Sequence, residues 1–406
     1  VRRLSGRDEI TMISAETESL YSPCVLPEYI SGRIGREKTY VKTPGDYDRL
    51  GIKILFGLKV EQVEPAAARI RLGNGKNLSF DRLILAVGSS PIEIGNRKSG
   101  CFVVKSLADA DAIVGHKGRK AVVVGSGAIG IEVAAALRMR GYEVEVLEGL
   151  SRILPLGLDR KAADHVKNTL EENGIRVAVD ERATEIVGAE NVEGLRTNRR
   201  ELECDTMVWA IGMKPNVELA RHAGIQVGIK GGIEVGSHME TNVEGIYACG
   251  DCVETNDRVT GKPALNLFWH NANRQGAVAG YNSLGLNLEY PGSESLLNMN
   301  IFGHHVVAFG QTVAALEESG VKEKDISVLE RNTASYYHRL IIVENRCLGA
   351  QFINPGKQTG LIWGLIRQGR KLDVLLDLFG KDETSVRKTW LSRVRPLFLG
   401  KDFVKS

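Results

Sequence analysis

Short, mostly apolar runs alternate along the chain with longer amphipathic ones, the rhythm of strand and helix in an α/β protein. Lys120-Ala121-Val122-Val123-Val124 is such a run and predicts a buried strand. Ile129 to Arg140 follows as a helix, stopped at Gly141, where a left-handed residue is cheap; Glu143 to Leu147 is a second strand, ending at Glu148. Asp81 to Pro91 reads as a buried strand running into small residues and a turn, and a similar element recurs from Asp205 to Asn216. Asn271 to Asn282 has helical character. After Tyr290-Pro291-Gly292 the composition shifts to alternating strands, Val306 to Phe309 and Leu340 to Val343, with helices near the end, which predicts a separate α+β domain.

The loop between the first strand and its helix, Gly125-Ser126-Gly127-Ala128-Ile129-Gly130, carries the chemistry. Its glycines permit a tight turn and let backbone N–H groups approach a pyrophosphate at the helix N-terminus; Glu148 can accept from an adenosine ribose 2′-OH. A lone G-x-G-x-x-G can be an ordinary glycine-rich turn. With strand, helix and acid in register, it predicts a nicotinamide dinucleotide site. A carboxylate repels a 2′-phosphate, so NADH is expected ahead of NADPH; Arg152 is the cation that could reverse the preference.

Leu137-Arg138-Met139-Arg140-Gly141 followed by Val144-Glu145-Val146-Leu147 has a weaker echo in Arg2-Arg3-Leu4-Ser5-Gly6 followed by Ile10-Thr11-Met12-Ile13. In the later copy roughly 20 residues of strand, glycine loop and helix come before this point. In the earlier copy they do not, so the sequence reads as lacking a first strand and first phosphate loop, unless the N-terminus is simply short.

The 53 basic and 50 acidic residues leave a formal net charge of +3, which suggests neither nucleic acid nor an anionic membrane as partner. No run of about 18 apolar residues points to a membrane span, and no signal peptide is visible, so a cytoplasmic location is the default expectation. The six cysteines are scattered, unlike a secreted disulfide framework.

Taken together, Ala86-Val87-Gly88, the Gly125–Gly130 loop with Glu132, Ala210-Ile211-Gly212 with Pro215-Asn216, and Thr241 through Asp251 resemble the pyridine nucleotide-disulfide oxidoreductases, over nearly the whole chain. The resemblance implies two Rossmann-like dinucleotide-binding domains, for FAD and NAD, plus a C-terminal α+β dimerisation domain. It divides the chain into 1–108 with 237–290 (FAD), 109–236 (NAD) and 291–406 (dimerisation). It implies FAD contacts at Glu16, Pro23, Val60, Ala86, Gly88, Gly250 and Asp251, the last on the ribityl chain. Nicotinamide cofactor contacts fall at Gly125, Gly127, Ala128, Ile129, Gly130, Glu148 and Gly212. Strict alignment with Glu148 lands on Ser14 rather than Glu16. The implied activity is hydride transfer from NADH through flavin to a small-molecule or small redox-protein acceptor, in a homodimer; a flavin-binding protein without turnover is the alternative from another class.

Tyr21 to Ile30 is similar to the segment that carries the single redox cysteine of NADH oxidases and coenzyme A-disulfide reductases, which makes Cys24 the candidate catalytic residue. A helix opening at Pro27 and a neighbouring flavin are expected to favour its thiolate; a small buried apolar residue is the other reading. Tyr336 to Ile342 with Cys347 to Ala350 instead resembles rubredoxin reductases and nitrite reductase flavin domains, so the acceptor stays open between these and a coenzyme A-disulfide or polysulfide. Cys249 and Cys252 have C-x-x-C spacing, but sit within the proposed FAD turn and are not expected to act as a redox pair. No zinc site is expected. His270 reads as a packing residue, and His304 and His305 as facing opposite ways on a strand. Phe302, Trp363 and Leu365 are candidates for interface or core.

Overall fold

Two copies of one strand order account for most of the molecule. In the computed structural model, which describes residues 1–95, 97–333, 336–355 and 359–368, the framework runs β1 (Ile10–Ile13), α1 (Leu26–Ile30), β2 (Ile52–Leu55), β3 (Leu83–Leu85), β4 (Cys101–Val103), α2 (Leu107–Gly115), β5 (Lys120–Val124), α3 (Ala128–Met139), β6 (Glu143–Leu147), α4 (Arg160–Glu172), β7 (Ile175–Ala178), β8 (Thr206–Trp209), β9 (Ile246–Ala248), α5 (Trp269–Asn282), β10 (Leu296–Ile301), β11 (His304–Gly310), β12 (Ile326–Asn332), β13 (Tyr337–Val343), β14 (Arg346–Ile353) and α6 (Thr359–Arg367).

Strands β7, β6, β5, β8 and β4 form one parallel sheet in that order. Val123, Val146 and Val208 at its centre are fully buried, as a parallel sheet covered on both faces requires. The other unit repeats the pattern: β1 pairs with β2 as β6 does with β7, and β3 pairs with β9 as β8 does with β4. Each unit also carries a three-stranded antiparallel meander, Val60–Glu64, Arg69–Leu72 and Asn77–Ser79 in one, Ala183–Val187, Gly194–Thr197 and Glu201–Glu203 in the other.

The echo extends to single hydrogen bonds. The Ser14 N–H donates to Leu55 O at 2.9 Å, as Glu148 does to Ala178 O at 2.8 Å. Leu58 donates to Ser14 O at 3.0 Å, as Glu181 does to Glu148 O at 2.9 Å. One member has no twin. Among the described residues, no strand stands between β1 and β3 as β5 stands between β6 and β8. Met12 on β1 is therefore 44% exposed, while Val146 at the matching place on β6 is 0% exposed.

The C-terminal strands form an antiparallel sheet in the order β10, β11, β14, β13, β12. Alternation puts Met299, Ile301, Val306, Ala308 and Ile353 into one core with α3 and α4, and Val307, Phe309, Leu340 and Phe352 against α6. Leu365 is fully buried in that second cluster and Trp363 packs beside it, while Phe302 lies against the first, so these three serve the internal core. The chain after residue 368, including the last part of the 291–406 region, lies outside the described residues. Among those described, no helix is long and apolar enough to cross a membrane.

Candidate active site

The glycine loop is shaped by what its missing side chains would strike. Gly125 has φ of +101°, and a Cβ there would lie 2.4 Å from Ala210 O; one on Gly130 would lie 2.1 Å from Gly125 O. Both glycines let helix α3 close on the ends of β5 and β8. Gly127 differs: a Cβ there meets nothing within 4 Å. The open space before the N-terminus of α3, beside Ala128 and the 39%-exposed Ile129, fits a pyrophosphate. Glu148 is buried at the end of β6. Its Oε2 accepts from the Ser126 N–H at 3.1 Å and Oγ–H at 2.5 Å, and its Oε1 accepts from the Leu150 N–H at 2.9 Å. Leu154 donates to Ser126 O at 3.0 Å while held at φ of +48°, so the 150–158 loop is tied to the glycine loop through a strained residue.

A second cluster forms where β3 and β9 end. Gly88 has φ of +67°, its carbonyl accepts from Asn216 at 2.9 Å, and the adjoining Ser89 hydroxyl donates to Asp251 Oδ2 at 2.9 Å. Lys105 completes it, 2.8 Å from the same oxygen. Gly250 (φ +82°) donates to Gln275 Oε1 at 2.8 Å, which sets this turn on helix α5. Chain segments far apart in sequence thus meet around Asp251. Ala86 is exposed here, whereas its counterpart Ala210 is packed against Gly130, because no second glycine loop stands over it among the described residues. The ribityl side of a flavin fits the residues present; a glycine cradle for its pyrophosphate has no counterpart among them. Gly212 (φ +127°) accepts from Ile92 at 3.0 Å where the two units meet.

The remaining candidates lie along the segment after β1. Glu16 stands three residues past the strand end, at the position of Leu150, and accepts from the Tyr21 hydroxyl at 2.7 Å; Ser14 occupies the place of Glu148. Val60 opens the first meander, partly buried, and Pro23 opens a 3₁₀ turn, Pro23–Val25, that runs into α1. Cys24 is in that turn and is exposed, while the other five cysteines are buried; all six are free.

The expected thiolate is not favoured by the protein alone. Desolvation first, then the Glu132 carboxylate, push the Cys24 thiol above its ordinary range, with the Ser22 hydroxyl pulling the other way. The helix after it is only five residues long, too short for its dipole to prevail. Glu132, on the buried side of α3, is itself pushed up to about 7, chiefly by burial and then by Glu28. The α1 segment is fastened there by the Arg140 guanidinium on Ile30 O at 3.1 Å and by Tyr29 on Asp111 at 2.8 Å.

Cys249 and Cys252 are buried, their thiols raised by burial to about 12 and about 11, as inert packing residues are. His270 hydrogen-bonds Glu294 O and stacks on Phe268, and burial lowers its pKa. His304 and His305 reach different partners, Asn354 and Asn298. Among the described residues no group of side chains could hold a metal. Sequence reasoning passed over Lys105. The signal was the capping box Ser106…Asp109, which marks a helix start and so places Lys105 at a strand end. It also passed over Arg182, whose side chain lies across Gly149.

The family profile described as pyridine nucleotide-disulphide oxidoreductase matches residues 2–276. The NADH oxidase of Methanocaldococcus jannaschii is 38% identical over 304 residues, covering 71% of this chain and 67% of that protein. The NAD(P)H sulfur oxidoreductase (CoA-dependent) of Pyrococcus furiosus is 31% identical over 351 residues, 83% of this chain and 78% of that one. The solved structure of an NAD-dependent persulfide reductase from A. fulgidus superposes with a TM-score of 0.88 at 28% identity, covering 98% of this chain and 81% of that chain.

Proposed function

Because the chain belongs to the pyridine nucleotide-disulphide oxidoreductase family, we propose that it is an FAD-dependent NADH oxidoreductase delivering electrons to a small-molecule or small redox-protein acceptor. The observation that carries this reading is Glu148 held against the glycine loop by Ser126, with open space at Gly127 beside it. Glu148 and the loop bind and orient NADH; Asp251, Ser89, Gly88 and Lys105 hold the flavin side, and Glu16, Pro23, Val60, Ala86 and Gly250 border it. When bound, the flavin supplies the capacity to take a hydride and pass electrons on singly or in pairs. The domains assigned to 1–108 with 237–290, 109–236 and 291–406 follow these two clusters, the last pairing two copies, in a cytoplasmic enzyme.

The second reading, reduction of a coenzyme A disulfide, persulfide or polysulfide, is favoured by one observation: Cys24 is the exposed cysteine, and it faces helix α3 of the nicotinamide unit. Its sulfur is placed to form a mixed disulfide with such an acceptor, releasing one thiol. Cys24→Ser distinguishes the two. On the second reading it leaves the flavin reducible by NADH yet cuts turnover with disulfide or polysulfide by orders of magnitude; equal turnover with every acceptor makes Cys24 structural and leaves a redox protein or oxygen as acceptor.

A further inference from the structure

We propose that Arg182 is a contact for an adenosine 2′-phosphate, so that NADPH enters the same pocket as NADH against a reduced penalty; this rests on the nicotinamide-site reading above. A Cβ on Gly149, the residue after Glu148, would lie 3.1 Å from Arg182 Cγ and 3.3 Å from Nε. The guanidinium stem therefore lies across the glycine that borders the ribose-binding carboxylate. The glycine lets it lie this close; a Cβ there would push it away by a few tenths of an ångström.

Its placement is fixed by backbone. Glu148 donates to Ala178 O at 2.8 Å, Asp180 to Leu150 O at 2.9 Å, and Glu181 to Glu148 O at 2.9 Å, so the turn leading to Arg182 is clipped to the strand end on both sides of Gly149. Arg182 N–H is held in turn by Asn198 Oδ1 at 2.8 Å. The cation that sequence reading singled out is not available. Arg152 donates to Leu158 O and Pro155 O, each at 3.0 Å, and so braces the 150–158 loop. Arg160 is spent on Ser151. Among the described residues the exposed Arg182 side chain has no ion pair and no hydrogen bond of its own. Glu148 already accepts three hydrogen bonds, from Ser126 and Leu150, which spread part of its charge. A 2′-phosphate leaving the ribose at Glu148 meets repulsion from a damped carboxylate and attraction from an unspent guanidinium that can pair with it in a fork.

The test needs no flavin and no turnover. Calorimetric binding of adenosine 2′,5′-bisphosphate and of 5′-AMP is compared in wild type, Arg182→Gln and Arg182→Lys. Removing a charge-assisted pair weakens the bisphosphate by about tenfold to a hundredfold, leaves AMP nearly unchanged, and Lys restores part of the loss. Equal weakening of both nucleotides, or of neither, overturns the proposal, as does a wild type that binds AMP but not the bisphosphate. A wild type that binds neither nucleotide nor NADH overturns the nicotinamide-site reading and this proposal with it.

Discussion

Gly127 and Gly130 sit three residues apart in one loop, yet replacing each by alanine should do opposite things. At Gly130 the added methyl would be 2.1 Å from Gly125 O and 3.1 Å from Ala210 Cβ. Ordinary contact requires the helix and the loop to part by more than about 1 Å. The first obstacle is backbone, so no side chain can move aside, and the cost should reach or exceed the roughly 3 kcal/mol upper end of overpacking. At Gly127 φ is −66° and no atom lies within 4 Å, so alanine is accepted in place. Loss of freedom in the unfolded chain then adds about 0.4–1 kcal/mol of stability. The same methyl intrudes on the space read as the pyrophosphate cradle, and NADH binding should weaken by about tenfold or more, roughly 1.4 kcal/mol. Urea unfolding and a nicotinamide fluorescence titration on the same preparations measure both quantities. If Gly127→Ala binds NADH as wild type does, or Gly130→Ala is as stable as wild type, the reading of the loop is wrong.

Three further outcomes follow from the same geometry. Glu132 has its pKa raised from 4.5 to about 7, so the folded chain holds a proton that the unfolded one releases. Stability should therefore fall as pH rises from about 4.5 to 7 by an amount on the order of 1–3 kcal/mol, and Glu132→Gln should flatten that part of the urea-midpoint profile. Because the Cys24 thiol is raised and the other cysteines are buried, iodoacetamide labelling in the absence of cofactor should report one slow site whose rate climbs only above the usual thiol range, and Glu132→Gln should shift that profile to lower pH. Asp159, nearly buried, accepts from Gln351 at 2.9 Å and Val313 at 3.1 Å and lies 3.2 Å from Arg339. Asp159→Ala leaves that arginine with Glu330 as its remaining carboxylate and strips Gln351 and Val313 of their acceptor at the seam between the nicotinamide unit and the C-terminal sheet, and should cost about 1–3 kcal/mol in denaturant unfolding.

Strands β5 and β6 have the bounds expected from the sequence, because each opens on an exposed charged residue, Lys120 or Glu143, and buries the four positions that follow. Helix α3 begins one residue earlier than expected, at Ala128, and ends at Met139. The correspondence of the segment around Ser14 with that around Glu148 was also legible, since both follow a glycine stop and an apolar strand. What could not be read were contacts made across the fold. Lys105 reaches Asp251 and Arg182 reaches Gly149 only once separate loops converge. The surroundings of Cys24 are set by Glu132, brought to it when α1 packs on α3. Sequence supplied the helix start beside the thiol but not the carboxylate, and the carboxylate, together with burial, decides the direction of the shift.

The measurement that bears most directly on the proposed activity is anaerobic addition of NADH to the protein supplied with FAD, followed by the visible absorbance of bound flavin. The yellow band should bleach with stoichiometric NADH, in wild type and in Cys24→Ser alike, and should bleach far more slowly in Gly127→Ala. A flavin that binds and stays yellow while NADH is bound would contradict the assignment.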